Sequence, residues 1–261
     1  HNKSTAKSEI EPINTSFSEA QLATQVQKTT PGLANQKPIG QLHQKQEVYG
    51  FYVDWDKNSY TSFKKNIDSI TTLVPGWMQL THGLTLKTNT DKSIVDQAKA
   101  HNIKILPLVN NFNNNKWDSE VLHRLFTTPG AEDLFIKKML DYVRTNGFDG
   151  INIDFEEINP NDKVDFTQFI GKVYEAFHQH GLMVTLDVPP NNNNSFNYAA
   201  LATNVDRMIV MLYDQHHAMS KPGPVAPSDW VEDHLNQLNI PSEKLIVSLG
   251  SFGYDWEENS N

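Results

Sequence analysis

The chain has no cysteine among its 261 residues. That excludes disulfides, thiolate nucleophiles and cysteine zinc sites, yet it leaves the compartment open, because many exported bacterial proteins also lack cysteine. No apolar run approaches the roughly 18 residues needed to cross a membrane, and no cleavable signal pattern opens the chain. The sequence begins at His1 rather than Met, so an upstream signal or anchor is expected to have been removed. Basic residues are in the minority: 22 Lys and Arg against 31 Asp and Glu give a formal charge of -9. A nucleic-acid binder ordinarily carries a basic face, so a neutral glycan or small molecule is the more compatible partner. The motifs G-x-G-x-x-G, G-x-x-x-x-G-K-[ST] and H-E-x-x-H are also missing, which removes the usual support for nucleotide or zinc chemistry. Neither a cofactor nor a metal is expected.

What is present divides the chain in two. Hydrophobic residues make up 38%, low for a compact domain, so part of the chain is expected to lie outside the core. Residues 1–46 are rich in Ser, Thr, Gln, Asn, Lys and Pro, with scattered apolar positions such as Leu22 and Val26. They read as a low-complexity polar tether or disordered arm, the alternative being a short docked helix from Ser18 to Lys28. Residues 47–261 read as the folded domain. Short apolar runs there alternate with longer amphipathic stretches, the signature of βαβ units. Strands are predicted at Val48 to Asp54, Thr72 to Gln79, Ile103 to Val109, Phe148 to Phe155, Leu182 to Val188, Arg207 to Tyr213 and Leu245 to Leu249. Helices are predicted at Asp91 to Asn102, Glu132 to Thr145 and Lys163 to His180. The last carries an apolar stripe of Phe166, Ile170, Val173, Tyr174 and Phe177 and closes at Gly181. Seven such units are visible where a closed barrel has eight. The expected architecture is therefore an α/β (β/α)8 TIM-type barrel, lacking its eighth strand in this chain through C-terminal truncation or closed in some other way. A doubly wound open sheet is the alternative.

The most informative segment is Phe148-Asp149-Gly150-Ile151-Asn152-Ile153-Asp154-Phe155-Glu156-Glu157. With the period of two of a strand, Asn152, Asp154 and Glu156 share one face and Ile151, Ile153 and Phe155 the other. The polar face would line a barrel interior and end at the carboxyl end of the strand, where barrel active sites are built. Burying two carboxylates is expensive unless they are hydrogen-bonded or share a proton, so a raised pKa on Glu156 and an Asp154 that holds or shares its proton are expected. A carboxyl protonated at neutral pH is what a general acid at a glycosidic oxygen requires. A solvated acidic strand end is the plainer alternative. A calcium loop is disfavoured, because the glycine and distal glutamate of an EF-hand are missing.

Asp149 to Glu156 resembles the DGxDxDxE signature of glycoside hydrolase family 18, the chitinase family. Met211-Leu212-Tyr213-Asp214 is similar to that family's MxYD, and Ser248 to Trp256 to its seventh strand, so the likeness spans most of Val48 to Trp256. Tyr213 to His216, Gly223 to Pro227 and Gly253 to Trp256 look most like the spore-germination, peptidoglycan-directed branch. Tyr49 to Trp55, Val74 to Trp77 and Asn110 to Asn113 also resemble bacterial hydrolase domains fused to polysaccharide deacetylase and glycosyltransferase modules.

The resemblance implies hydrolysis of β-1,4-linked N-acetylglucosamine-containing glycan by substrate-assisted, retaining catalysis, outside the cytoplasm, with flanking deacetylase or glycosyltransferase modules as potential partners. It implies Glu156 as general acid and base, Asp154 as the group that orients the acetamide nitrogen, and Tyr213 as donor to the acetamide oxygen. Asp214 would bind a sugar hydroxyl or the acetamide. Asn152, Tyr52, Trp77, Asn110, Gln215, His216 and Trp256 complete the substrate-binding candidates, while Asp149 and Gly150 are structural members of the motif. For Trp55, Trp77 and Trp256 core packing is an equal expectation, and turn chemistry explains Asn110 to Asn115 and Asn191 to Asn194 nearly as well as sugar binding. One departure matters: the family's middle aspartate is Asn152, and an amide cannot take up a proton. A catalytically silent carbohydrate-binding barrel is therefore one rival. A metal-dependent enzyme using Asp154, Glu156 and Asp187 is the other.

Overall fold

A computed structural model describes residues 46–191 and 194–256. The expected tether, but for Gln46, the alternative helix at Ser18 to Lys28, and Asn192 and Asn193 lie outside the described residues. The described elements belong to the unit that starts at Glu47. In chain order they begin with β1 (Tyr49–Tyr52), α1 (Lys57–Asn66), β2 (Thr72–Pro75), β3 (Met78–Leu80), β4 (Leu86–Thr88), α2 (Lys92–Ala100), β5 (Lys104–Ile105) and β6 (Leu108–Asn110). A small hairpin of β7 (Phe112–Asn113) and β8 (Lys116–Trp117) follows, then α3 (Ser119–Thr127), α4 (Ala131–Asn146), β9 (Gly150–Asp154) and α5 (Lys163–His178). The series ends with β10 (Met183–Val188), α6 (Tyr198–Ala202), β11 (Arg207–Met211), α7 (Ser228–Gln237) and β12 (Leu245–Ser248).

Two of the expected strands are broken. Thr72 to Gln79 becomes β2 and β3, interrupted at Gly76-Trp77, and Ile103 to Val109 becomes β5 and β6, interrupted at Leu106-Pro107. Pro107 has no N–H to give to a ladder. The lower halves pair in parallel as β1-β2-β5, and the upper halves join the run β12-β11-β10-β9-β6-β3, parallel throughout, with β4 antiparallel at its end. Taking each broken strand as one gives seven parallel strands side by side in chain order, with a helix in every crossover. A doubly wound sheet would reverse that order, so the fold is a barrel-like α/β fold. Among the described residues β12 does not pair with β1 and no eighth parallel strand is seen, as expected of a barrel lacking that strand, so the barrel is not closed there.

The helices cover the outer face. On α5 the buried stripe is Phe166, Phe169, Ile170, Val173 and Phe177. Tyr174, expected in that stripe, is half-buried and lies against His178 at 3.8 Å between ring centroids. Gly181, at φ 68°, takes the left-handed turn after the helix. Phe155 stacks on Phe169 at 6.0 Å, joining the end of β9 to α5. Gly150 opens β9 because nothing larger fits: a Cβ there would lie 2.1 Å from the Met183 carbonyl oxygen of β10. Asp149 ties the foot of the same strand to β5, its Oδ2 accepting from the Ile105 N–H at 2.8 Å. On the same amino-terminal rim the Arg207 guanidinium donates through Nε and Nη2 to the Glu47 carboxylate at 2.8 and 2.9 Å, joining the foot of β11 to the chain just ahead of β1.

Candidate active site

The parallel strands lift their carboxyl ends to one rim, and a cavity of about 820 Å3 opens there. Its wall takes in Phe51 and Tyr52 of β1 and Val53 to Trp55 after it, Gly76 to Gln79 around β3, and Leu108 and Asn110 of β6. Asp154 of β9 and Glu156 beyond it, Asp187 of β10, and Met211 of β11 with Tyr213 beyond it also line the wall. The volume falls within the roughly 300–1,000 Å3 usual for small-ligand sites. The mouth is aromatic. Trp55 is 76% exposed and Phe112 39%, and Phe112 meets Trp117 edge to face at 5.2 Å on the β7–β8 hairpin.

β9 stops at Asp154, so Glu156 lies two residues beyond the strand. Asn111 holds it there. This fully buried amide donates from Nδ2 to the Glu156 carbonyl at 3.0 Å and accepts the Glu156 N–H on Oδ1 at 3.0 Å. The same Nδ2 donates to the Asp118 carbonyl at 3.2 Å, tying the clamp to the base of the hairpin. Glu157 follows at φ 55°, and Asp214, after Tyr213, sits at φ 63°. Such left-handed non-glycine residues are uncommon and cluster at functional sites.

The electrostatics favour protons over charges. Burial pushes the Glu156 carboxyl up to about 8, and the neighbouring acids Asp154, Glu157 and Asp214 add to the rise. Asp154 is raised well above the ordinary carboxylate range by burial and by Asp187. Burial likewise raises Asp187, opposed by a hydrogen bond from Asn152, which favours its ionised form, and reinforced by Glu156. Tyr213 is raised by burial first and then by the surrounding carboxyls, so its hydroxyl keeps its proton and is a donor. Among the described residues the Glu156 and Asp154 side chains make no hydrogen bond, and no group of three or more His, Asp or Glu side chains is arranged to hold a metal ion.

Of the expected site residues, the structure brings Glu156, Asp154, Tyr213, Tyr52, Trp77 and Asn110 to the cavity. Tyr52 and Trp77 are nearly buried, Tyr52 edge-on to Phe63 and Trp77 against Phe148 at 5.7 Å. Asn110 accepts the Phe112 N–H on its Oδ1 at 3.2 Å. The remaining candidates stand off the cavity wall. Asn152 is fully buried, donating to Asp187 at 2.7 Å and accepting from the Thr185 hydroxyl at 2.6 Å, so it reaches a ligand only through Asp187. Asp214 accepts from the Tyr254 hydroxyl at 3.0 Å. Gln215 is exposed, its N–H bonded to the Val225 carbonyl at 3.0 Å. His216 packs over Gly223 with its Nδ1 2.9 Å from the Lys221 carbonyl, and Trp256 rests beside Tyr254 at 5.9 Å. Sequence reasoning passed over Asn111 as a positioning group and named Asp187 only as a metal ligand. Its signal was available: a single acid inside the apolar run Met183–Val188 must have a reason to be buried.

Comparison with known proteins agrees with the geometry. Residues 47–261 match the sequence pattern of the glycosyl hydrolases family 18. The chain is 28% identical over 174 residues to the sporulation-specific glycosylase YdhD of Bacillus subtilis, covering 64% of this chain and 41% of that protein. It is 23% identical over 169 residues to the cortical fragment-lytic enzyme of Bacillus subtilis, covering 61% of this chain and 39% of the other. It therefore spans less than half the length of either curated relative. The crystal structure of a chitinase from Chromobacterium violaceum superimposes with a TM-score of 0.71 at 24% identity, covering 77% of this chain and 67% of that one, a likeness of fold. By its sequence and its fold together, the chain belongs to glycosyl hydrolases family 18.

Proposed function

We propose that the chain is a glycoside hydrolase that cleaves β-1,4-linked N-acetylglucosamine-containing glycan, with Glu156 as general acid and base. The observation that carries this reading is a carboxyl on the cavity wall that holds its proton to about pH 8. Glu156 donates that proton to the glycosidic oxygen as the bond to the anomeric carbon breaks. The substrate's own acetamide oxygen closes on that carbon to form an oxazolinium ion, the substrate-assisted route. Asp154 accepts the acetamide N–H and stabilises the positive charge, and the Tyr213 hydroxyl donates to the acetamide oxygen. Water then opens the ring as Glu156 takes its proton, which restores the starting state with retained configuration. Asn111 is not a reacting group, but it fixes the backbone from which Glu156 acts.

Similarity to a cortical fragment-lytic enzyme and to a chitinase supports peptidoglycan or chitin oligosaccharide as the substrate class and a site of action outside the cytoplasm. The polar composition of residues 1–46 supports their being a tether to a domain of residues 47–261. The test is mass spectrometry of products after incubating wild type and Glu156→Gln with chitooligosaccharides, peptidoglycan and deacetylated exopolysaccharide. Products from wild type alone are expected. Equal products from both would remove Glu156 from its role, and binding without products from wild type would make the chain a carbohydrate-binding barrel.

A further inference from the structure

Asp187 has no part in the reaction as written, although it is a carboxyl only 3% exposed. β10 and β9 run in parallel with Met183 opposite Gly150 and Leu186 opposite Ile153, so the next step of the register sets Asp187 beside Asp154. Adjacent strands lie about 4.8 Å apart, and residues in register project from the same face. Both side chains line the cavity. Each has one oxygen, Oδ1, sealed from solvent without a hydrogen-bond partner. Two such carboxyls side by side cannot both be ionised, and a single proton between them removes the conflict.

Asn152 decides where that proton rests. Its oxygen is held by the Thr185 hydroxyl, so its Nδ2 is turned to Asp187 at 2.7 Å. A hydrogen bond donated to a carboxylate favours the ionised form there. Asp154 receives no such donor and keeps the proton. From β9 and the turn beyond it the pair is faced by Asn152 and Glu156, and from the turn after β11 by Tyr213. The charges acting on the two are each other and Glu156, all acidic.

We propose that Asp187 is the proton partner of Asp154, supplying from the neighbouring strand the carboxyl that β9 lacks at Asn152. The inference rests on the hydrolase reading for its use but not for its geometry. When the acetamide N–H arrives, the O–H bond on Asp154 breaks and an O–H bond forms on Asp187. Asp154 thereby becomes the carboxylate that the oxazolinium ion needs, and total charge is unchanged. Asp187 acts through Asp154 and is a positioning residue.

Four proteins test this: wild type, Asp187→Asn, the exchange Asn152→Asp with Asp187→Asn, and Asp187→Ala, the last so that a folding failure of the amide variant leaves a second carboxyl deletion. Two readouts are taken, kcat against pH on chitooligosaccharides and the titration of 13C-labelled aspartate carboxyls by NMR. Loss of Asp187 is expected to lower kcat by about 100-fold, the lower end of what a placed acid–base group contributes, and to bring the high-titrating Asp154 resonance down toward the ordinary range. The exchange is expected to recover at least about tenfold of the lost rate, because a carboxyl again adjoins Asp154. An Asp154 titration and a pH profile unmoved by loss of Asp187 would overturn the proposal. If wild type cleaves no glycan while the Asp154 resonance still moves, the shared proton stands and the hydrolase reading has failed.

Discussion

Glu156 keeps its proton to about pH 8 in the folded chain, against an ordinary value of 4.5 once unfolding returns it to water. At about 1.4 kcal/mol for each tenfold change in proton affinity, that preference is worth about 5 kcal/mol. Between the two pH values the folded state binds more protons than the unfolded one, so stability falls as pH rises. The contribution is whole below 4.5 and lost above about 8. Glutamine keeps the shape of the side chain and has no proton to lose. The cavity admits water, so roughly half the full effect is expected: Glu156→Gln gains about 2–3 kcal/mol over wild type at pH 9 and close to nothing at pH 4. Urea unfolding of both proteins across that range, followed by tryptophan fluorescence and circular dichroism, measures the difference directly. A gap between the two that is the same at both ends of the range, or a variant less stable than wild type at pH 9, would refute the reasoning. Loss of turnover in the same variant would then show that the site trades stability for a usable proton.

Asn111→Ala leaves the Glu156 N–H and carbonyl and the Asp118 carbonyl without their partner; a loss of about 3 kcal/mol in unfolding free energy is expected, together with a fall in kcat, and unchanged values would mean that water replaces the amide. Trp55→Ala removes a ring that is 76% exposed on the cavity wall. Its unfolding free energy should stay within about 0.5 kcal/mol of wild type while KM for chitooligosaccharides rises about tenfold, and an unaltered KM would remove Trp55 from substrate binding. Gly150→Ala sets a methyl 2.1 Å from the Met183 carbonyl oxygen, so β9 and β10 must separate and about 3 kcal/mol or more of stability is lost, which calorimetry would register as a lower Tm.

Much of the fold was legible because periodicity is a local property. The stripe on α5 and its terminal Gly181 show in the sequence, as does the sharing of one strand face by Asn152 and Asp154. The breaks at Gly76-Trp77 and Leu106-Pro107 were not foreseen, although Pro107 was a signal against a continuous strand. Helix α1 was missed because Phe63 is the sole buried residue of an otherwise polar segment. In the site, alternation explains Asp154 but not Glu156, which lies past the strand and is set by an amide 45 residues away in the chain. Tryptophan identity did not separate Trp55, at 76% exposure, from Trp77, at 2%, because the difference is made by neighbours contributed from other strands.

The ion pair between Glu47 and Arg207 spans 160 residues, and it fixes where a shortened version of this protein has to begin. A chain started at Val48 would keep every strand and helix described, yet leave the Arg207 guanidinium at the foot of β11 without its carboxylate. Tags, linkers or a fused domain are therefore best joined ahead of Glu47, and trimming beyond it should be felt first as salt-independent loosening of β1, since the wild-type pair is the part of that junction that salt can weaken.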